Sequence, residues 1–391
     1  MAHLPQIDNA WLHMKRDRIV DFGAMDTCPK LADIKGKKID CTGKMVLPCW
    51  CDSHSHIVFA AYREEEFIYK VKGMTYEEIA AKGGGILNSA RRLAEATEEE
   101  LFQSAWKRLQ SMIRLGTGAL EIKSGYGLTT ESELKMLRVI KRLKAESPIP
   151  IKATFLGAHS LPPAYKNDRA AYISLIINEM MPAIARDNLA DYCDVFCERG
   201  FFTPEETAEI VQAGARHGMK AKIHANQLDY SGGVQVGVAN GAISVDHLEH
   251  CGEGEIAALQ GSNTMPTLLP SCAFFINLPF PPARALMQAG LPVTLATDYN
   301  PGSTPSGNMQ FVVSLACIKM KMLPEEAINA ATINGARAME LEHLVGSIEP
   351  GKRANVIITK PIPSLAYIPY AFGEDVVEEV VINGRIWGKA R

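Results

Sequence analysis

At 391 residues, with 47% apolar and 22% charged residues, the chain has ordinary globular composition and enough length to bury at least one large core. A formal net charge of −3 leaves no basic footprint for nucleic acid, and no apolar run reaches the roughly 18 residues of a membrane span. The charged stretch from Met1 to Asp21 lacks the apolar core of a signal peptide, and nine scattered cysteines point to reduced thiols in a cytoplasmic protein rather than a disulfide framework.

The first predicted elements, in residues 8–44, are short alternating runs: Trp11-Leu12-His13, Ile19-Val20-Asp21-Phe22-Gly23 and Ile39-Asp40. From residue 45 to about 300, strand-like segments alternate with helical patterns. The strands are expected at 45–51, 118–123, 150–156, 192–197, 221–224, 243–247, 264–269 and 293–297. Between them, Thr97 followed by Glu98, Glu99 and Glu100 reads as a helix start, and Leu134, Leu137, Ile140 and Leu143 recur at helical spacing over 132–145. Eight strands alternating with helices predict an α/β fold, a (β/α)8 TIM barrel. A doubly wound open sheet competes, but no Gly-x-Gly-x-x-Gly follows the first strand. Helices at 307–319 and 324–339 lead to Val- and Ile-rich runs at 355–359 and 376–387, which should pair with the N-terminal runs. The expected organisation is a small β-sandwich-like domain from residues 1–44 and 346–391, and a barrel over 45–345. Cys49-x-Cys51 and Cys193-x-x-x-Cys197 lie in strand-like runs and read as buried thiols rather than zinc ligands.

Barrel enzymes carry their chemistry at the C-terminal ends of strands, and those ends are polar here. Strand one ends in Asp52-Ser53-His54-Ser55-His56, two in Lys123-Ser124-Gly125-Tyr126-Gly127, three in Gly157-Ala158-His159. Strand five ends in His224-Ala225-Asn226-Gln227, six in Asp246-His247-Leu248-Glu249-His250, eight in Thr297-Asp298-Tyr299-Asn300-Pro301-Gly302. His54 and His56, two apart on a strand, face the same side. A lone His-x-His is weak evidence. Joined by His224 and Asp298 it makes a set of three imidazoles and a carboxylate that suits a metal with an open water position. His247 is not needed for that set and reads as a proton-transfer group. In Arg63-Glu64-Glu65-Glu66-Phe67 the glutamates read as a solvated face. Spacing leaves Arg63 open between that face and a clamp for a substrate carboxylate. Gly83-Gly84-Gly85 lacks the Lys-Ser/Thr ending of a phosphate loop and reads as part of a lid.

The segments Leu47-Pro48 to His56 and Thr297-Asp298 resemble the amidohydrolase superfamily. Within it, the runs Arg63 to Phe67, Glu121 to Gly127, Phe155 to His159, Ile223 to Gln227, Asp246 to Glu249 and Ala296 to Gly302 resemble the imidazolonepropionases over nearly the whole chain. The resemblance implies one zinc or iron ion per chain, held by His54, His56, His224 and Asp298. It implies substrate contacts from Arg63, Tyr126, His159 and Gln227, and product contacts from Tyr126, Asn300, Gly302 and Ser303. His247 and Asp298 would activate the water or relay its proton. The implied reaction is hydrolysis of a cyclic amide, 4-imidazolone-5-propanoate, to N-formimino-L-glutamate in histidine catabolism, by a homodimer. Three departures stand out. Pro48-Cys49-Trp50-Cys51-Asp52 replaces the usual Pro-Gly-Leu-Val-Asp, Asn355 stands where Asp is common, and the N-terminal run is short by about one strand.

The nearest alternative is a mononuclear deaminase of a purine- or pyrimidine-like ring. Those relatives use a glutamate where this chain has Gln227, and an amide cannot shuttle protons that way. A non-catalytic scaffold on the same barrel is a second alternative, disfavoured because all four metal ligands are present. Strand four ends Phe196-Cys197-Glu198, with no lysine to bridge two ions, so a mononuclear site is expected.

Overall fold

The computed structural model describes residues 3–30, 35–74, 78 and 84–388. The N-terminal hairpin is β1 (Ala10–Lys15) and β2 (Arg18–Ala24). A short strand β3 (Val46–Pro48) is followed at once by β4 (Trp50–Asp52). Seven further strands come next: β5 (Thr117–Lys123), β6 (Ile151–Ala158), β7 (Tyr192–Cys197), β8 (Lys220–Ala225), β9 (Ser244–His247), β10 (Met265–Leu268) and β11 (Thr294–Leu295). The C-terminal part adds β12 (Val356–Thr359), β13 (Val377–Ile382) and β14 (Arg385–Ile386).

Strands β4 to β11 form one parallel sheet in sequence order, with a helix in most of the crossovers, which is the expected (β/α)8 barrel. Helix starts follow the sequence cues. Thr97 and Glu100 form a reciprocal capping box on helix Glu98–Arg114, with Thr97 N donating to Glu100 Oε2 at 2.9 Å and Glu100 N to Thr97 Oγ1 at 3.2 Å. The pattern at 132–145 becomes helix Thr130–Glu146, which buries Met136, Leu137, Ile140 and Leu143. Alternation along the strands separates two environments. Leu120, Ile122, Phe155, Val195, Ile223 and Val245 join the main apolar core. Glu121, Lys123, Asp194, Lys222 and Asp246, also fully buried, meet one another across the barrel. Buried charges are tolerated only when paired, and these are.

The barrel closes at its first and last strands. Asp298 N donates to His54 O at 2.9 Å and His56 N to Tyr299 O at 2.9 Å. Beneath them Asp52 accepts from Thr297 N at 3.0 Å and from Thr297 Oγ1 at 2.6 Å.

The expected strand 45–51 divides. Val46–Pro48 pairs antiparallel with β12, in a terminal sheet of order β14-β13-β12-β3, and only from Trp50 does the chain run in the barrel. The break is at Cys49, whose Cβ lies 2.3 Å from where a Cβ on Gly118 would stand, so the crossing needs a glycine there. The hairpin β1–β2 lies against this sheet in sandwich fashion, with Leu12 and Met14 packed on Val356, Ile358 and Val381. Asn355 ties sheet to barrel, its Nδ2 donating to Gly118 O at 3.3 Å while its Oδ1 accepts from Asn383 N at 2.8 Å. Cys49, Cys51, Cys193 and Cys197 are buried, free thiols within apolar clusters. The expected helix at 324–339 breaks at Thr332 into Pro324–Ala331 and Ile333–Arg337.

Candidate metal centre and active site

Barrel closure brings His54 and His56, just past β4, against Asp298, just past β11. His54 Nε2 and His56 Nε2 are 3.3 Å apart, and each is 3.5 Å from Asp298 Oδ1. Three donors about 2.1 Å from a shared tetrahedral cation would lie roughly 3.4 Å from one another. The spacing fits a metal ion. His224, at the end of β8, stands beside them with its ring centroid 4.5 Å from that of His54 and 5.6 Å from that of His56, and its ligand atom groups with those of His54 and His247.

Two of the histidines are fixed from behind. His54 Nδ1 is 2.7 Å from Asp246 Oδ2, and His224 Nδ1 is 3.0 Å from Asp194 Oδ2. A carboxylate accepts, so Nδ1 carries the proton and Nε2 presents a lone pair to the centre. Burial above all, with neighbouring cations adding to it, holds His54, His56 and His224 well below the ordinary imidazole range, which keeps them neutral and ligand-competent. Asp298 is held up to about 6, chiefly by burial. Its φ of +55° and that of His247 at +89° are left-handed for non-glycine residues, strain of the kind that collects at functional sites.

His247 borders the same space, its ring centroid 5.3 Å from that of His224 and 5.6 Å from that of His54. Burial opposes its charge most strongly, but Glu249, 3.4 Å from Nδ1, together with Asp298 and Asp246 outweighs it and lifts His247 above its ordinary value. His159 stacks over His56 at 5.6 Å and donates from Nδ1 to Gly125 O at 3.0 Å, leaving Nε2 free to accept. Burial lowers His159 to about 4. Tyr126 is buried beside both rings, 5.9 Å from His56 and 5.5 Å from His159.

Arg63 leads helix Glu64–Val71 into the same mouth. Its guanidinium abuts Gly302, where an added Cβ would stand 1.2 Å from Nη2. Its Nε is buried with no hydrogen-bond partner among the described residues. Asn300 organises the loop beneath: Oδ1 accepts from Gly302 N and Ser303 N at 2.8 Å, and Nδ2 donates to Asp298 O and Ser303 Oγ at 2.7 Å. Gln227 is buried, with Nε2 3.4 Å from Cys272 Sγ. Thus the structure brings His54, His56, His224, His247, His159, Tyr126 and Asp298 together, with Asn300, Ser303, Gly302 and Arg63 on the adjoining loop, while Gln227 is tied to them through Cys272.

The glutamate run needs correction. Glu66 is not on a solvated face: it is buried, accepts from Gly85 N at 3.0 Å and lies 3.8 Å from Arg63 Nε. Gly83, part of the expected lid, falls outside the described residues. Sequence reasoning also missed Asp194 and Cys272. Asp194 gave no signal in the middle of an apolar strand. Cys272 lies close enough to His247 and Asp298 to share a metal with them, but a lone cysteine reads as a small hydrophobe.

The amidohydrolase family model matches residues 45–387. An imidazolonepropionase from Flavobacterium johnsoniae is 59% identical over 387 residues, covering 99% of this chain and 93% of that one. Another from Christiangramia forsetii is 56% identical over 386 residues, with the same two coverages of 99% and 93%. The solved 5-methylcytosine deaminase from Klebsiella pneumoniae superposes with a TM-score of 0.76 at 17% identity, covering 97% of this chain and 94% of that one, a likeness of fold alone. With relatives above half identity over nearly the whole chain and a family model spanning residues 45–387, the chain belongs to the imidazolonepropionases of the amidohydrolase family.

Proposed function

We propose that the chain hydrolyses 4-imidazolone-5-propanoate to N-formimino-L-glutamate, a step of histidine breakdown, using one zinc or iron ion held by His54, His56, His224 and Asp298. The observation that carries the reading is the 59% identity, sustained over 387 residues, to a curated imidazolonepropionase. Three nitrogens and one carboxylate oxygen suit either metal. When bound, such a cation supplies Lewis-acid chemistry, acidifying a water and polarising a carbonyl oxygen. Among the described residues the other positions near the mouth favour a single ion, since Phe196 packs against His224 at the end of β7, where a bridging lysine would be needed.

The chain's own groups account for the rest. Arg63 receives the propionate carboxylate with its unengaged Nε edge, which converts tail binding into alignment of the ring carbonyl. Tyr126 and His159 wall the ring, and Gln227 offers an amide edge. Asp298 takes a proton from the attacking water, and His247 passes one to the ring nitrogen that leaves the carbonyl carbon. Water thus adds to the carbonyl, the carbon–nitrogen bond breaks, and the products are a carboxylate and a formimino nitrogen. The loop held by Asn300, with Gly302 and Ser303, lies where the opened chain would rest.

A deaminase reading rests on the fold alone, and Gln227 lacks the proton capacity it needs. The reading extends to a cytoplasmic homodimer, which nine free thiols suit, and no helix among the described residues is long and apolar enough to cross a membrane. The test is to incubate the purified protein with imidazolone propionate and separately with guanine and cytosine. Ring opening without ammonia is expected. Ammonia from the bases, with the imidazolone untouched, would overturn the assignment.

A further inference from the structure

Lys123, at the end of β5, is fully buried in the barrel. Its ammonium donates to Glu121 Oε1 and to Asp194 Oδ2, both at 2.7 Å, and forms an ion pair with Asp246 Oδ2 at 3.4 Å. The two aspartate oxygens are the ones that accept the Nδ1 protons of His224 and His54. One cation therefore sits behind two of the histidines of the donor cluster, two bonds removed from each. We propose that Lys123 is a positioning residue for the metal centre: by pinning the Asp194 and Asp246 carboxylates it fixes the tautomer and ring orientation of His224 and His54.

The inference rests on the metal reading above. Metal-binding histidines depend on the groups behind them, because the Nδ1 partner decides which nitrogen carries the proton and where the ring points. Most such histidines have separate partners. Here a single ammonium couples β7 and β9, so the two rings on β8 and after β4 are set together rather than one at a time. Lys222 offers an internal control. It is equally buried and equally charged, yet its contacts are Glu121 and the carbonyls of Ser53 and Ala338, at 3.1 and 3.3 Å for the latter two. It hydrogen-bonds and ion-pairs neither histidine-bearing aspartate, acting on Asp246 by charge at longer range alone.

The test compares Lys123→Met with Lys222→Met and the wild-type protein. Zinc affinity is measured by competition with a chromophoric chelator, and ligand geometry by the visible spectrum after exchange to cobalt(II). For Lys123→Met we expect zinc bound about 10–100-fold more weakly, the range typical of lost support behind a ligand, and a shifted cobalt spectrum. Lys222→Met should move both less, since it touches neither Asp194 nor Asp246 directly. Equal shifts in the two variants would make the network a purely structural one and overturn the inference, as would an unchanged Lys123→Met. If Lys123→Met does not fold, the double variant Lys123→Met/Glu121→Gln removes one charge of each sign and preserves the net charge. Weakened zinc binding there supports the inference, and wild-type affinity, or failure of that variant to fold as well, overturns it. A wild-type protein that takes up no zinc or cobalt sinks the metal reading itself, an outcome distinct from a wild type that binds and a variant that binds equally well.

Discussion

Arg63 sits where a helix begins, with its guanidinium on a residue that has no side chain and its Nε facing no acceptor closer than Glu66 at 3.8 Å. A buried guanidinium proton left unpaired is costly unless a ligand completes it. Charge-assisted hydrogen bonds contribute about 1.5–3 kcal/mol each, so losing a two-pronged carboxylate clamp should lower kcat/KM by at least about 100-fold. Arg63→Met is therefore expected to impair turnover of imidazolone propionate to that extent while zinc or iron content stays at the wild-type level. Gly302→Ala should reproduce the kinetic loss, because its new methyl would claim the space of Nη2. Steady-state kinetics and metal analysis on the same preparations check both. Metal loss in Arg63→Met would place this arginine in support of the ion instead of the tail.

At the scale of elements, the closing seam between β4 and β11 decides whether the donor atoms meet. Asp52 is fully buried and accepts two hydrogen bonds from Thr297, immediately beneath the point where His54 and Asp298 join by backbone. Asp52→Ala would leave the Thr297 amide buried and unpaired, costing about 1–3 kcal/mol. Denaturant unfolding should show that loss, and metal content should fall with it. A variant that keeps full metal occupancy and wild-type stability would mean the seam holds without this contact. Period and strand-end polarity made the barrel strands and the histidines legible in the sequence, since both are local. The division of 45–51 was not legible: Val46 to Asp52 reads as one apolar run, and its break depends on Asn355 and Gly118 approaching from distant parts of the chain. Glu66 was misread for a similar reason. Its burial comes from Gly85 and Arg63 folding over it, which a run of three glutamates does not announce.

Across the whole molecule, the barrel interior is a charged column rather than a stack of aliphatic layers. Lys222, Glu121, Lys123, Asp194 and Asp246 occupy its lower part, and His54, His56 and Asp298, with His224 beside His54, cap it. Seated in a buried column, the ligand lone pairs crowd one another. His54 and His56 turn their Nε2 atoms together at 3.3 Å, and the Nδ1 of His54 is already committed to Asp246. Unfolding scatters these donors, so a divalent ion binds the native state far better than the unfolded chain and must stabilise it by mass action. At free metal near 1,000 times the dissociation constant that linkage is worth about 4 kcal/mol. A chain of this length has an unfolding entropy near 0.8 kcal/mol/K, so stripping the metal should lower Tm by roughly 5 °C. Calorimetry of chelator-treated protein, before and after zinc is returned, measures the shift directly. Full recovery on adding zinc is expected. A melting temperature indifferent to chelation and reconstitution would mean that the four side chains converge for some reason other than a shared ion.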